Sequence, residues 1–220
     1  MTTSAWVHGR PTPITWELAM QKTPKPTTAN VGVLALQGDF LEHEVVLKHI
    51  GVDPVEVRKP EQLDALDGLI IPGGESTTMA NLMDAWGLRG ALQKRAREGM
   101  AVWGSCAGMI MIAKKLTDDR PTPLGLMDIT VSRNAYGRQA ESFEADLDIP
   151  ALNGRRFHSI FIRAPKFVEL GKNVEVIAKL PDGTPVAVRQ GKLMATAFHP
   201  ELTDDFRFHQ YFLNVVKGAG

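Results

Sequence analysis

One cysteine stands in the 220-residue chain, and its neighbours give it a chemical setting: Gly104-Ser105-Cys106-Ala107-Gly108, between an apolar run and a helical one. A thiol at a sharp strand-to-helix turn is a nucleophile-elbow pattern with cysteine in the nucleophile position. The flanking glycines leave room for a strained backbone, where side chains two residues either side would collide. A helix N-terminus beside the sulfur favours its thiolate, and backbone N–H groups there can stabilise an oxyanion. The pentapeptide alone fits an inert core cysteine in a tight turn equally well.

A cysteine nucleophile needs a base. Of six histidines, His8 falls in the N-terminal segment, and His43 and His49 fall in an early helix with His43 read as a surface position. His158 and His209 fall in a strand and the last helix, where structural roles are common. His199 follows the apolar strand Leu193–Phe198 and opens His199-Pro200-Glu201. If that strand runs parallel to its neighbours, His199 reaches the same rim as the elbow. Glu201 is then placed to orient the imidazole and stabilise its cation. A third segment, Pro72-Gly73-Gly74-Glu75-Ser76-Thr77-Thr78, also joins a strand to a helix. Its paired glycines allow close backbone approach to a ligand and N–H groups aimed at developing charge. Ser76, Thr77 or Thr78 serves equally as a helix N-cap. The Gly-Lys-Ser/Thr ending of a phosphate loop is missing.

The elements that must position these residues alternate in type. Strands are expected at Val31–Leu36, Val52–Arg58, Leu66–Ile71 and Met100–Gly104. Helices are expected at Phe40–Ile50, Met79–Arg97 and Ala107–Lys115, the second with Leu82, Met83, Trp86 and Leu92 turned to the core. Short joins between alternating strands and helices imply an α/β fold with a mainly parallel open sheet flanked by helices. The second half changes style, with strands at Ile129–Ser132, Ser142–Leu147 and Arg156–Arg163. A meander follows at Val174–Leu180, Pro185–Arg189 and Leu193–Phe198, an antiparallel extension with turns at Pro181–Thr184 and Gln190-Gly191. Phe206–Val216 is a closing helix. Residues 1–29, with four prolines among threonines, read as a flexible extension with a helical turn near Trp16–Met20. Residues 30–220 read as one domain.

Composition excludes several classes. Acidic and basic residues balance at 25 each, which gives no electrostatic footprint for nucleic acid or an anionic membrane. A single cysteine permits no intrachain disulfide and no cysteine-rich metal site. No apolar run has membrane-spanning length and the N-terminus lacks a signal-like stretch, so a cytoplasmic protein is expected.

Together Gly-Gly-Glu-Ser-Thr, Gly-Ser-Cys-Ala-Gly and His-Pro-Glu, in that order, resemble the class I (triad) glutamine amidotransferase family, whose fold is flavodoxin-like. The stretches Val33–His43, Arg133–Gln139 and Phe161–Pro165 resemble one branch, the glutaminase subunits of pyridoxal 5′-phosphate synthase. The resemblance runs from about Val31 to the C-terminus. It implies that Cys106 is the nucleophile, His199 the base and Glu201 the orienting carboxylate. It further implies glutamine contacts at Gly74, Glu75, Ser76, Arg133, Ile162 and Arg163, and oxyanion N–H groups at Gly73, Gly74 and Ala107. No metal or cofactor is required, and the partner it implies is a synthase subunit that receives ammonia. Alternatives are a glutaminase serving another synthase, a hydrolase of γ-glutamyl peptides, and a non-catalytic subunit that keeps the fold.

Overall fold

The computed structural model of the protein describes residues 29–133 and 142–219. Strand β1 (Val31–Leu34), helix α1 (Phe40–His49), strands β2 (Val55–Val57) and β3 (Gly68–Ile71), helices α2 (Ser76–Ala85) and α3 (Leu88–Arg97), strand β4 (Ala101–Ser105) and helix α4 (Ala107–Ile112) form the alternating first half. Strands β5 (Ala113–Leu116), β6 (Met127–Ser132), β7 (Ser142–Leu147), β8 (Phe157–Ile162), β9 (Lys166–Leu170), β10 (Glu175–Lys179), β11 (Pro185–Gln190) and β12 (Leu193–Thr196) follow. Helix α5 (Arg207–Val216) closes the chain.

The central sheet has seven strands in the order β10-β11-β12-β4-β3-β1-β2. From β12 to β2 every pair is parallel, and β10-β11-β12 is an antiparallel meander on one side. β1, β3 and β4 are buried along their whole length, as expected of strands covered on both faces. Trp103 and Ser105 of β4 face α1 and α5, and Gly104 backs onto α4 on the other face. All six residues of α4 are buried, so its apolar sequence has no solvent face to keep polar. A three-stranded sheet β5-β6-β9 and the hairpin β7-β8 are separate from the main sheet.

Several expectations need correction. The helix expected over Met79–Arg97 is two, broken at Trp86-Gly87, where Gly87 takes a left-handed φ of 69°. Trp86 consequently lies on the break and is 55% exposed, not in the core. The helix expected to reach Lys115 stops at Ile112, because the chain from Ala113 pairs as β5. The strand β9 was not anticipated; it pairs antiparallel with β6. His43 is fully buried rather than at the surface, and His158 is an exposed strand residue paired with Asp146 and Glu144. The extension assigned to residues 1–29, with its helical turn near Trp16–Met20, and the stretch following Arg133 fall almost wholly outside the described residues.

α5 attaches through one apolar side. Phe208 is fully buried against Trp103, Phe157, Phe198 and Tyr211, with ring centroids 5.3 to 6.4 Å away. Phe208→Ala removes that wedge and is expected to cost about 3–5 kcal/mol, lowering the thermal midpoint by roughly 10 °C. Calorimetry of the variant checks this; an unchanged midpoint would contradict the packing.

Candidate active site

β4 and β12 are neighbouring parallel strands in the register Ser105↔Thr196. Both therefore end at the same edge of the sheet, where open α/β sheets hold ligands. Cys106 follows β4 directly, and its N–H donates to the Thr196 carbonyl at 2.8 Å. His199 lies three residues beyond Thr196, and its own N–H donates to the Ile160 carbonyl of β8 at 2.9 Å. The sulfur sits 3.8 Å from the Ile162 carbonyl oxygen of the same strand. Three strands thus fix the positions of one thiol and one imidazole.

The elbow is strained as its sequence suggests. Cys106 has φ 48° and ψ −104°, a region that residues with a Cβ rarely occupy. Any Cβ at Gly104 would collide with the backbone of Gly108, and one at Gly108 would collide with the carbonyl of Ile71. The glycines therefore let the first turn of α4 lie directly on β3 and β4.

His199 Nδ1 is 2.7 Å from Glu201 Oε1 and 3.5 Å from Asp39 Oδ2. Both members of the closer pair are buried. Burial alone would lower the histidine pKa. The hydrogen bonds and negative charge of Cys106 and Glu201 more than offset it, and the imidazole is pushed up to about 10. Burial pushes the Glu201 carboxyl up, and its contact with His199 pulls it back. The short contact and shared burial favour an imidazolium held between sulfur and carboxylate. His199 thus contributes stability that is fully present below 6.5 and is lost as pH rises through about 10. Asp39, His199 and Glu201 are also the residue types that bind cations, with atoms within 4.8 Å of one another. Their closeness is accounted for by two carboxylates that both approach Nδ1 of one imidazolium.

A cleft of about 320 Å3 opens over the sulfur, a size suited to a small ligand. Among the expected glutamine contacts, Gly74, Glu75, Ser76, Arg133, Ile162 and Arg163 all line it, together with Cys106, Ala107 and His199. Glu201 lies behind His199 and is not on the wall. Arg163 has φ 44°, a second strained residue at the same cleft. Glu75 has a role that was not anticipated. It, rather than Ser76, Thr77 or Thr78, is the N-cap of α2, accepting from the N–H groups of Thr77 at 2.9 Å and Thr78 at 2.6 Å. Burial is the largest single influence and pushes its carboxyl up, but the Thr77 and Thr78 donors together outweigh it and hold the group down at about 2. Its Oε1 also pairs with Arg133 at 3.3 Å.

Asp39 and Gln37 were missed as individual site residues. Asp39 lines the cleft, and Gln37 accepts from the Glu75 N–H at 3.1 Å. Their signal was the strand-to-helix junction Leu36–Phe40, which ends on the same sheet edge as the other two loops. The cleft is lined by two arginines, Arg133 and Arg163, and by two acidic residues, Asp39 and Glu75, of which Arg133 and Glu75 are paired. That mixture suits a zwitterionic amino acid better than a simple anion. His199→Asn removes the cation beside the sulfur. Alkylation of Cys106 by iodoacetamide at pH 7 is expected to slow by about tenfold or more, the difference fading above roughly pH 10 as the wild-type imidazole loses its proton. Equal rates at pH 7 would contradict the ion pair.

Comparison with known proteins shows the family. Residues 33–217 match the SNO glutamine amidotransferase family. The chain is 55% identical over 188 residues to the pyridoxal 5′-phosphate synthase subunit PdxT of Herpetosiphon aurantiacus, covering 84% of this chain and 99% of the relative. It is 52% identical over 187 residues to PdxT of Thermotoga petrophila, covering 85% and 99%. A crystal structure of a glutamine amidotransferase matches with a TM-score of 0.80 at 51% identity, over 85% of this chain and 98% of the other. The chain belongs to the SNO glutamine amidotransferase family.

Proposed function

We propose that residues 30–220 form a glutaminase that hydrolyses L-glutamine to glutamate and ammonia and supplies the ammonia to a pyridoxal 5′-phosphate synthase subunit. The observation that carries this reading is the meeting of Cys106 with His199 and Glu201 at a cleft lined by arginines and carboxylates. The partner is proposed from PdxT relatives that are similar over nearly their whole length. A cytoplasmic location fits such a role, and no helix among the described residues is long and apolar enough to cross a membrane.

In the proposed mechanism the Cys106 thiolate attacks the side-chain amide carbon of glutamine. The carbonyl electrons move onto oxygen, which takes hydrogen bonds from backbone N–H groups of Ala107 and the Gly73-Gly74 loop. His199, already an imidazolium, gives its proton to the departing nitrogen as the C–N bond breaks, leaving a γ-glutamyl thioester. A water then attacks the thioester carbon while His199 takes its proton. Glutamate leaves, and the thiolate–imidazolium pair is restored. Glu201 stays ionised and holds the ring through Nδ1, so that Nε2 serves the reacting atoms. Arg133 and Arg163 take the α-carboxylate, and an acidic side chain of the cleft takes the α-ammonium.

The loop that would complete the oxyanion site meets the junction before α1, where the Gly73 carbonyl accepts a 3.3 Å bond from the Asp39 N–H. Docking of the synthase is proposed to set this loop. Isolated chain is therefore expected to release glutamate at least about tenfold more slowly than chain mixed with synthase, as a stronger oxyanion donor would allow. Equal turnover would refute this gating.

Cys106→Ala is expected to retain glutamine binding by calorimetry and to lose hydrolysis by about a thousandfold or more. Unchanged hydrolysis would exclude Cys106 as nucleophile. Arg133→Ala is expected to raise KM about tenfold with a smaller change in kcat, as loss of a charged hydrogen bond to the substrate implies.

A further inference from the structure

Behind the site lies a buried polar chain that the proposed reaction does not use. His43 of α1 and His209 of α5 are both fully buried. His43 Nδ1 is 2.9 Å from His209 Nε2. His43 Nε2 is 3.0 Å from Ser105 Oγ, on the residue before the nucleophile. The same Nε2 is 3.4 Å from Glu201 Oε2. That oxygen is the one His199 leaves free, and it has no hydrogen-bond partner of good geometry.

The directions of these bonds can be worked out from what is left over. Burial first, then the repulsion that a second proton on the His43–His209 pair would meet and the charge of His199, hold His43 well below its ordinary value, and burial takes His209 down to about 3. Each ring is therefore neutral and has one donor and one acceptor. In one arrangement His209 Nε2–H donates to His43 Nδ1, and His43 carries its proton on Nε2, toward Ser105 Oγ and Glu201 Oε2. The atom left over is His209 Nδ1 as a bare acceptor, which matches its lack of a partner. In the opposite arrangement His209 Nδ1 becomes a buried N–H with nothing to bond, and a His43 lone pair faces a carboxylate oxygen. Orphaned buried donors are the rarer and costlier outcome. The first arrangement wins on both ends of the chain.

We infer that His43 is a positioning residue for the reaction: its ring, fixed by His209 at one nitrogen and by Ser105 Oγ at the other, packs its Nε2–H side against the free oxygen of Glu201 and so keeps that carboxylate in line with His199 and Cys106. This rests on the glutaminase reading of the same site. The groups facing the carboxylate are His199 from its own turn, Asp39 from the junction before α1 and His43 from α1 itself. Trp103 packs edge-on against both extra histidines, at 5.4 Å and 4.9 Å, which fixes their planes. Its Nε1–H is spent on Thr196 Oγ1.

The test is the pH dependence of Cys106 alkylation by iodoacetamide in the full chain, which needs neither glutamine nor a partner. Glutamine amide nitrogen mimics imidazole Nε2, and asparagine mimics Nδ1. In His43→Leu and His43→Asn the pH of half-maximal alkylation is expected to rise by about one unit, and His43→Gln is expected to stay near wild type. With synthase present, the Leu variant is expected to lose about tenfold in kcat with KM little changed. Unshifted profiles in all three folded variants, or a Gln variant as impaired as Leu, would overturn the proposal while leaving the triad reading intact. A His199→Asn profile identical to wild type would remove both. Should the buried substitutions prevent folding, 15N NMR of the wild-type imidazoles decides: an Nε2–H tautomer of His43 is expected, and an Nδ1–H tautomer overturns the proposal.

Discussion

The parallel pairing of β4 with β12 is the constraint on which the site depends. In the register Ser105↔Thr196 the two strands finish together, so Cys106 and His199, ninety-three residues apart in sequence, leave the sheet at one edge. An antiparallel β12 would send His199 to the opposite edge. The meander β10-β11-β12 makes the parallel pairing possible, because two antiparallel returns bring the last strand back beside β4 in the direction of its neighbours. The Cys106 N–H bond to the Thr196 carbonyl then ties the strained elbow to that strand.

Burial does the second part of the work. A carboxylate, an imidazole and a sulfur in open water would interact weakly, whereas here Glu201 and His199 are almost wholly removed from solvent. Burial penalises each charge alone and rewards their pairing, which is why the imidazole is raised despite its desolvation. Around the cleft the requirement is opposite. Glu75, Arg133 and Arg163 stay accessible, and Glu75 is committed to capping α2 and pairing with Arg133. Capping therefore couples the shape of the Gly73–Thr78 loop to the start of a helix, so one carboxylate serves both local folding and the cleft wall.

Much of this was legible from residue types and order. The buried strands announced themselves as short apolar runs, and the glycines flanking Cys106 marked a turn too tight for side chains. His-Pro-Glu became meaningful only through its place after an apolar strand. What escaped the sequence was mostly non-local. His43 sits in an early helix among charged residues and gives no local sign that its ring is fully buried against a histidine 166 residues away. Trp86 fits a helical core period, but a left-handed Gly87 ends the helix there and turns the indole outward. β9 is too mixed in polarity to stand out, and it forms by pairing along the edge of β6. Glu75 as a cap was hidden behind three better capping residues that follow it.

In the proposed reaction the Cys106 sulfur, activated by His199 and Glu201, attacks the side-chain amide of glutamine. Rapid acid quench of the chain turning over glutamine with synthase, followed by peptide mass mapping, tests it most directly. A γ-glutamyl adduct confined to the peptide bearing Cys106 is expected, accumulating before the first turnover completes. Steady hydrolysis with no adduct at that sulfur, in a chain whose Cys106→Ser form remains equally active, would contradict it.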